Sequence, residues 1–349
     1  VNVWTDQVIA HVNARLAAFF AEKRREADAL SPRAKELVDA VAELTMRGGK
    51  RLRACAVYAG FRAVRADLTD LSGSSLAGLD LTTDVAAAIE LLQSYFLIQD
   101  DWMDDDEERR GGPSVHAALT QRSGDAKLGA SLAILAADLA VGFAFELLHG
   151  AKFPAERAAA ARAAFTTMHL EVVCGQQLDL LEHADVKLTH HLKTGSYTVR
   201  GPLKLGALMG EASEEQLLAI ERFGRPTGIA FQLRDDLLGT FGDSRATGKP
   251  AGHDLREGKN TALIAEARVT LEGDARERLE QVLGRRDASA ADLREAAQTL
   301  MVSGARSRVE AQLDAQLSEA EQALSAAPLV PAGVALLREL LSKIAARDR

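Results

Sequence analysis

Gln93-Ser94-Tyr95-Phe96-Leu97-Ile98-Gln99-Asp100-Asp101-Trp102-Met103-Asp104 is an apolar, helix-patterned run that ends in aspartates. A globular protein does not leave bare carboxylates at such a place without a counter-ion, because desolvating an unpaired charge is costly. With Asp100 at 0° and about 100° per residue, Asp101 falls near 100° and Asp104 near 40°, so the three carboxylates share one helix face. On the same scale Gln93 falls at about 20° and Phe96 at about −40°, on that side and one to two turns earlier. Phe231-Gln232-Leu233-Arg234-Asp235-Asp236 repeats the pattern far downstream; there Gln232, Asp235 and Asp236 lie within about 100° of one another. A single acidic helix end, such as the first with its extension Asp105-Asp106-Glu107-Glu108, also reads as a solvated surface. Two such helices, each with an upstream glutamine, read instead as oxygen-only ligand sets. These suit magnesium, which a few carboxylates hold while phosphate oxygens and water complete the shell.

The 349 residues are 47% hydrophobic and 26% charged, enough for a sizeable core in a chain of ordinary globular composition. A net charge of −8 provides no overall basic field for nucleic acid or an anionic membrane, so neither is expected as a partner. Any anionic substrate must be caught by local Lys and Arg. Cys55 and Cys174 are far apart in helix-patterned stretches and are expected as buried, reduced thiols. Leu128 to Leu148 is the most apolar stretch; Asp138 at its middle and its many alanines point to a core helix, with no stable membrane insertion. Val1 to Phe20 carries Asp6, His11 and Arg15 and lacks a signal-peptide layout, so the expected location is the cytoplasm.

Helix formers dominate, and most of the eight prolines fall at breaks, which predicts an all-α protein. Helices are expected roughly over 5–27, 32–46, 51–66, 81–104, 125–150, 154–184, 187–198, 202–209, 213–242, 260–271, 273–284, 289–323 and 331–347. The Gly- and charge-rich breaks at 47–50, 111–113 and 242–259 are too short or too complex for flexible linkers, so 1–349 reads as a single helical domain.

Cations accompany the acids. Gly48-Gly49-Lys50-Arg51-Leu52-Arg53 sets flexible backbone ahead of a helix with a cationic first turn, a placement the helix dipole disfavours unless an anion binds there. Arg109-Arg110-Gly111 adds two guanidinium forks that match phosphate oxygens. Lys193, Lys249 and Lys259 form a third group.

In this order, the motifs Gly48-Gly49-Lys50-Arg51-Leu52-Arg53, Asp100-Asp101-x-x-Asp104-x4-Arg109-Arg110-Gly111, Gly175-Gln176-Gln177-Leu178-Asp179, Lys193-Thr194, Phe231-Gln232-x-x-Asp235-Asp236 and Lys249…Lys259 resemble those of the polyprenyl diphosphate synthases. These are trans-prenyltransferases that elongate isoprenoid chains, and the resemblance is nearest to the short-chain farnesyl and geranylgeranyl enzymes. It implies an all-α bundle of the isoprenoid synthase type with a central substrate cavity, acting as a homodimer. It further implies that three Mg²⁺ ions on Asp100, Asp101, Asp104, Asp235 and Asp236 grip an allylic diphosphate, together with Arg109, Lys193, Lys249, Lys259, Gln176 and Asp179. Isopentenyl diphosphate then binds without metal through Lys50, Arg51, Arg53, Gln93 and Arg110. Lys193, Thr194, Gln232 and Lys249 are the implied catalytic residues, and the departing pyrophosphate is the implied proton acceptor.

The sequence departs from the family pattern at one ligand position. The second motif often reads Asp-Asp-x-x-Asp, but here the third position is Gly239; Asp243, at about 80°, replaces it only if the helix continues through Gly242. Trp102 is expected to be a packing side chain. Tyr95 and Phe96, five and four residues before Asp100, resemble the aromatic floor of farnesyl diphosphate synthases, although rotation puts Tyr95 near about −140°, away from the carboxylate face. The expected product is C15, with C20 as the alternative. A class I terpene cyclase would need no isopentenyl site, and a non-catalytic prenyltransferase-like subunit would lack the aspartates.

Overall fold

The computed structural model of the chain describes residues 3–68, 76–181, 183, 185–242, 252–325 and 327–346. The N-terminal part runs α1 (Val3–Leu30), α2 (Pro32–Met46), α3 (Leu52–Arg62), α4 (Leu79–Met103), a two-stranded hairpin of β1 (Glu108–Arg109) and β2 (Gly112–Pro113), α5 (Val115–Ser123) and α6 (Ala126–Gly150). There follow α7 (Ala155–Leu180), α8 (Val186–His190), a π-helical segment (His191–Arg200), α9 (Gly201–Met209) and α10 (Glu214–Phe241). The C-terminal part is α11 (His253–Glu257), α12 (Ala262–Thr270), α13 (Gly273–Val282), α14 (Ala290–Val302), α15 (Ala305–Ser325) and α16 (Pro331–Ala345). The fold is all-α, as the patterning predicts.

The helix ends follow local chemistry. α2 starts with Pro32 behind Ser31, whose hydroxyl accepts from the Arg33 amide at 3.2 Å. α6 starts at Asp125, whose carboxylate accepts from the Leu128 amide at 3.1 Å. Elsewhere the sequence reading needs correction. α5 was not expected: nine residues are too few to show a clear apolar period, although the Ser114 cap and Gly124 at φ +70 mark both of its ends. The helix expected over 289–323 is two, broken at Ser303-Gly304, where Gly304 takes φ +78. The loop expected over 242–259 contains α11.

Two compact units emerge, one of Val1–Phe165, Pro202–Leu217 and Val330–Val334, the other of Thr166–Gly201, Leu218–Leu329 and Ala335–Arg349. In the first, α4 packs against α1, α3, α5 and α6, and α3 is buried at every position from Arg53 to Arg62. α4 and α6 are each long and apolar enough to cross a bilayer, with 72% of the apolar window of α4 buried inside the protein but only 39% of that of α6. The expectation that α6 is a core helix therefore holds on one face only: Leu128, Ile134 and Leu135 are 47%, 43% and 52% exposed. In the second unit, α12, α14 and α15 pack together around Leu263, Ile264, Leu300 and Val309. Cys55 is buried as expected, whereas Cys174 is exposed; both are free thiols.

Candidate active site

In the first unit the acidic end of α4 is shaped by how the helix stops. Asp105 takes the left-handed conformation at φ +57, and the Asp106 amide donates to the Asp101 carbonyl at 2.8 Å while the Asp105 amide donates to that of Trp102 at 3.4 Å. This is a Schellman closure with aspartate in the place glycine usually takes. The chain then turns back through the β1–β2 hairpin, whose two central residues, Arg110 and Gly111, have φ of +55 and +70, as a type I′ turn requires. Arg47 fastens the hairpin by donating from Nη1 to the carbonyls of Arg109 (3.2 Å) and Pro113 (2.5 Å).

The result is to fold Arg109 back onto the aspartates. Its Nε donates to Asp101 Oδ1 at 2.6 Å, and its Nη2 contacts that same oxygen, Asp106 Oδ2 at 3.1 Å and Asp100 Oδ2 at 3.6 Å. The acidic run is thus divided: Asp105, Glu107 and Glu108 are exposed, Asp100, Asp104 and Asp106 half-buried, and Asp101 wholly buried. Burial pushes the Asp101 carboxyl up to about 6 in spite of Arg109, with the Asp100 and Asp106 charges adding to the rise. Burial alone would weaken the charge on Arg109, but the carboxylates around it, Asp101 foremost, outweigh that and hold it firmly protonated. Oδ2 of Asp101 is buried without a hydrogen-bond partner among the described residues. An orphaned carboxylate oxygen amid further carboxylates fits a hard divalent cation. Asp106 in this cluster was not singled out by the sequence, and Trp102, expected to pack, is 39% exposed.

The cations of the same unit gather around the loop before α3. Arg110 lies over Gly49, where an added Cβ would meet its Nη2 at 3.3 Å. Burial holds the Arg110 pKa below its usual value, and the neighbouring charges of Arg51, Arg53 and Arg109 lower it further, against the pull of Glu90. Arg53 is buried, Lys50 exposed and Gln93 half-buried. Arg51 is turned inward: at φ +44 it donates from Nε to Asn13 Oδ1 (3.1 Å), from Nη1 to Glu90 Oε2 (3.0 Å) and from Nη2 to the Thr45 carbonyl (2.6 Å). Glu90 Oε1 also accepts from the Ala54 amide at 3.3 Å, tying α4 to the first turn of α3. Glu90, Asn13 and Thr45 escaped the sequence reading because nothing in their spacing marks them. Tyr95 and Phe96 are both buried with ring centroids 5.0 Å apart. Burial raises the Tyr95 hydroxyl pKa, opposed by a hydrogen bond with Gln99 and reinforced by the Asp138 charge.

In the second unit, Lys193 and Thr194 sit in the π-helical segment, a rare form of helix that recurs at functional sites. Lys193 Nζ donates to Asp179 Oδ2 on α7 at 2.6 Å, and Thr194 is half-buried. α7 approaches this segment through Gly175, where a Cβ would lie 2.3 Å from the Lys193 amide nitrogen. Gln176 follows, half-buried. α10 presents Asp235, half-buried, and Asp236, which is buried with each oxygen engaged: Oδ1 accepts from Gln232 Nε2 at 2.7 Å and Oδ2 from the Ala262 amide at 2.8 Å, with His190 Nδ1 3.8 Å away. α10 ends at Phe241, so the continuation through Gly242 that Asp243 required is not made. Lys259 Nζ pairs with Glu257 Oε2 at 2.8 Å. Lys249 and Asp243 lie outside the described residues.

Residues 34–300 match the family model described as polyprenyl synthetase. A short chain isoprenyl diphosphate synthase of Methanocaldococcus jannaschii is 32% identical over 271 residues, 76% of each chain. A geranylfarnesyl diphosphate synthase of Aeropyrum pernix is 33% identical over 298 residues, 82% of this chain and 89% of that one. Among solved structures, a geranylgeranyl pyrophosphate synthase of Corynebacterium glutamicum, complexed with isoprenyl diphosphate and magnesium, is similar with a TM-score of 0.90 and 32% identity, covering 98% of this chain and 99% of that one.

Proposed function

Because the chain belongs to the polyprenyl synthetase family, we propose that it is a short-chain prenyltransferase that joins an allylic diphosphate to isopentenyl diphosphate, with release of diphosphate. The observation that carries this reading is the acidic end of α4: Asp100, Asp101 and Asp106 folded against Arg109 beside the half-buried Asp104, with one oxygen of the buried Asp101 left for a cation. Asp100, Asp101, Asp104, Asp235 and Asp236 are the proposed magnesium holders; the oxygens of Asp236 keep lone pairs beyond the hydrogen bonds they accept. Magnesium bound there would neutralise the charge that develops on the leaving diphosphate. Arg109, Lys193 and Lys259, with Lys249, Gln176 and Asp179, are assigned to the allylic diphosphate, where the cations stabilise the same developing charge. Lys50, Arg53, Arg110 and Gln93 are assigned to isopentenyl diphosphate; Arg51, engaged with interior acceptors, supports their loop. Thr194 and Gln232 are assigned to shelter the allylic cation.

Product length is assigned on other grounds than the sequence motif. Relatives named for geranylgeranyl and geranylfarnesyl products favour C20 or C25 over the C15 expected from Tyr95 and Phe96. Incubation of the purified chain with isopentenyl diphosphate, Mg²⁺ and dimethylallyl, geranyl or farnesyl diphosphate, followed by mass analysis of the products, tests both statements. A C20 or C25 diphosphate is the expected product; no elongation of any primer defeats the prenyltransferase reading, and a terminal C15 product defeats the length assignment alone.

A further inference from the structure

We infer that Asp254 supplies the third carboxylate of the α10 acidic face, the one that Gly239 leaves out. The inference rests on the prenyltransferase reading and deepens it. Gly239 lies one helical turn after Asp235, on the same face of α10. A Cβ placed on Gly239 would fall 1.8 Å from Asp254 Oδ2, 2.4 Å from its Cγ and 2.9 Å from its Oδ1. All three atoms of the Asp254 carboxyl group therefore stand in the volume that a side chain at position 239 would fill. Asp254 is delivered by α11, which is bounded by Gly252 and Gly258 at φ +74 and +70 and stitched to the next turn by the Lys259 amide donating to the Asp254 carbonyl at 3.0 Å.

Two consequences follow from the contact. Position 239 cannot carry even alanine while Asp254 stays where it is, because atoms under 3.0 Å from a Cβ must move. The α10 face also keeps an acid at position 239 in spite of the glycine, since the carboxylate arrives from α11 and not from its own helix. Carboxylate oxygens at that point are the donor type magnesium takes, directly or across one of the waters it retains.

The exchange is tested by titrating Mn²⁺ into the full-length chain and reading the free ion by electron paramagnetic resonance, with circular-dichroism melts alongside. Asp254→Asn is expected to lose one bound ion or to weaken it by about tenfold or more, the range seen when groups around a metal are removed. Asp243→Asn is expected to bind as the parent does. In Gly239→Asp/Asp254→Gly the carboxylate returns to α10 and the lost affinity is expected to recover. Unchanged binding in Asp254→Asn, or the loss appearing in Asp243→Asn instead, overturns the inference. If Asp254→Asn does not melt cooperatively, the exchange variant decides: recovered binding supports the inference and weakened binding overturns it. A parent chain that elongates no allylic diphosphate removes the reading underneath, whereas a parent that elongates while Asp254→Asn binds Mn²⁺ normally removes this inference alone.

Discussion

Asp101 is a carboxylate kept where water cannot reach it, and its proton equilibrium carries a signed prediction. Its folded pKa of about 6 lies above the ordinary carboxyl value of 3.8, so between those values the native state holds a proton that the unfolded chain has released. Stability from this group is therefore gained as pH falls through about 6 and is complete by 3.8, the reverse of an ordinary ion-paired aspartate. In metal-free protein, urea unfolding of wild type and Asp101→Asn should diverge in favour of wild type by about 1.4 kcal/mol per pH unit across that window; a flat difference would contradict the buried placement. Arg51 and Glu90 form a second buried pair, both about 1% exposed in the side chain. Removing one partner strands the other's charge, so Arg51→Ala or Glu90→Gln should each cost about 3–5 kcal/mol by denaturant titration. The same variants should raise the KM for isopentenyl diphosphate more than they lower kcat, since the loop bearing Lys50 loses its anchor. The aspartates and arginines were legible as residue types, because charges at the end of an apolar run are anomalous wherever they occur. Which cation of the loop faces solvent and which turns inward was not, because Lys50 is exposed while Arg51 is drawn in by Asn13 of α1, Thr45 of α2 and Glu90 of α4.

The π-helical segment is the clearest case in which an element's form places chemistry. A plain helix was expected over 187–198 with a break at Pro202, yet α8, the π segment and α9 follow one another without interruption. Glycines on two neighbours admit the segment's backbone: Gly175 on α7, and Gly228 on α10, where a Cβ would lie 2.9 Å from the Gly195 carbonyl oxygen. Gly175→Ala should push Lys193 away from Asp179, cost about 1–3 kcal/mol of stability as overpacking does, and lower kcat. A variant with wild-type melting and wild-type turnover would show that this approach has slack. The hairpin after α4 makes the same point on a smaller scale. Arg109-Arg110-Gly111 was read as a source of cations, but its positive-φ turn is what aims Arg109 at Asp101. Periodicity detects long helices and passes over a nine-residue helix, a π segment and a two-residue turn, whose forms are set by neighbours as much as by composition.

For the molecule as a whole, the outer face of α6 is the feature that the fold leaves open. Leu128, Ile134 and Leu135 project from the more apolar of the two long apolar helices among the described residues. Leu135→Glu should change the free energy of urea unfolding by no more than about 0.5 kcal/mol, as substitutions on an open surface do; a larger loss would show that the face is covered. The sequence by itself determined the all-α class, the order of the motifs, the family and the acid and base types of the site, because helix propensity, apolar period and charge at apolar ends are properties of short stretches of chain. It gave no sign of α6 having an open face, since a half-exposed apolar helix and a buried one share a composition. Only the tertiary structure decided that Arg109 turns back on Asp101, that Arg51 looks inward, and that the acid missing at Gly239 is matched by Asp254 from another helix. Those are contacts across 8, 39 and 15 positions of sequence, and a carboxylate serves a site by where it stands, which spacing along one helix cannot state for a residue carried on the next.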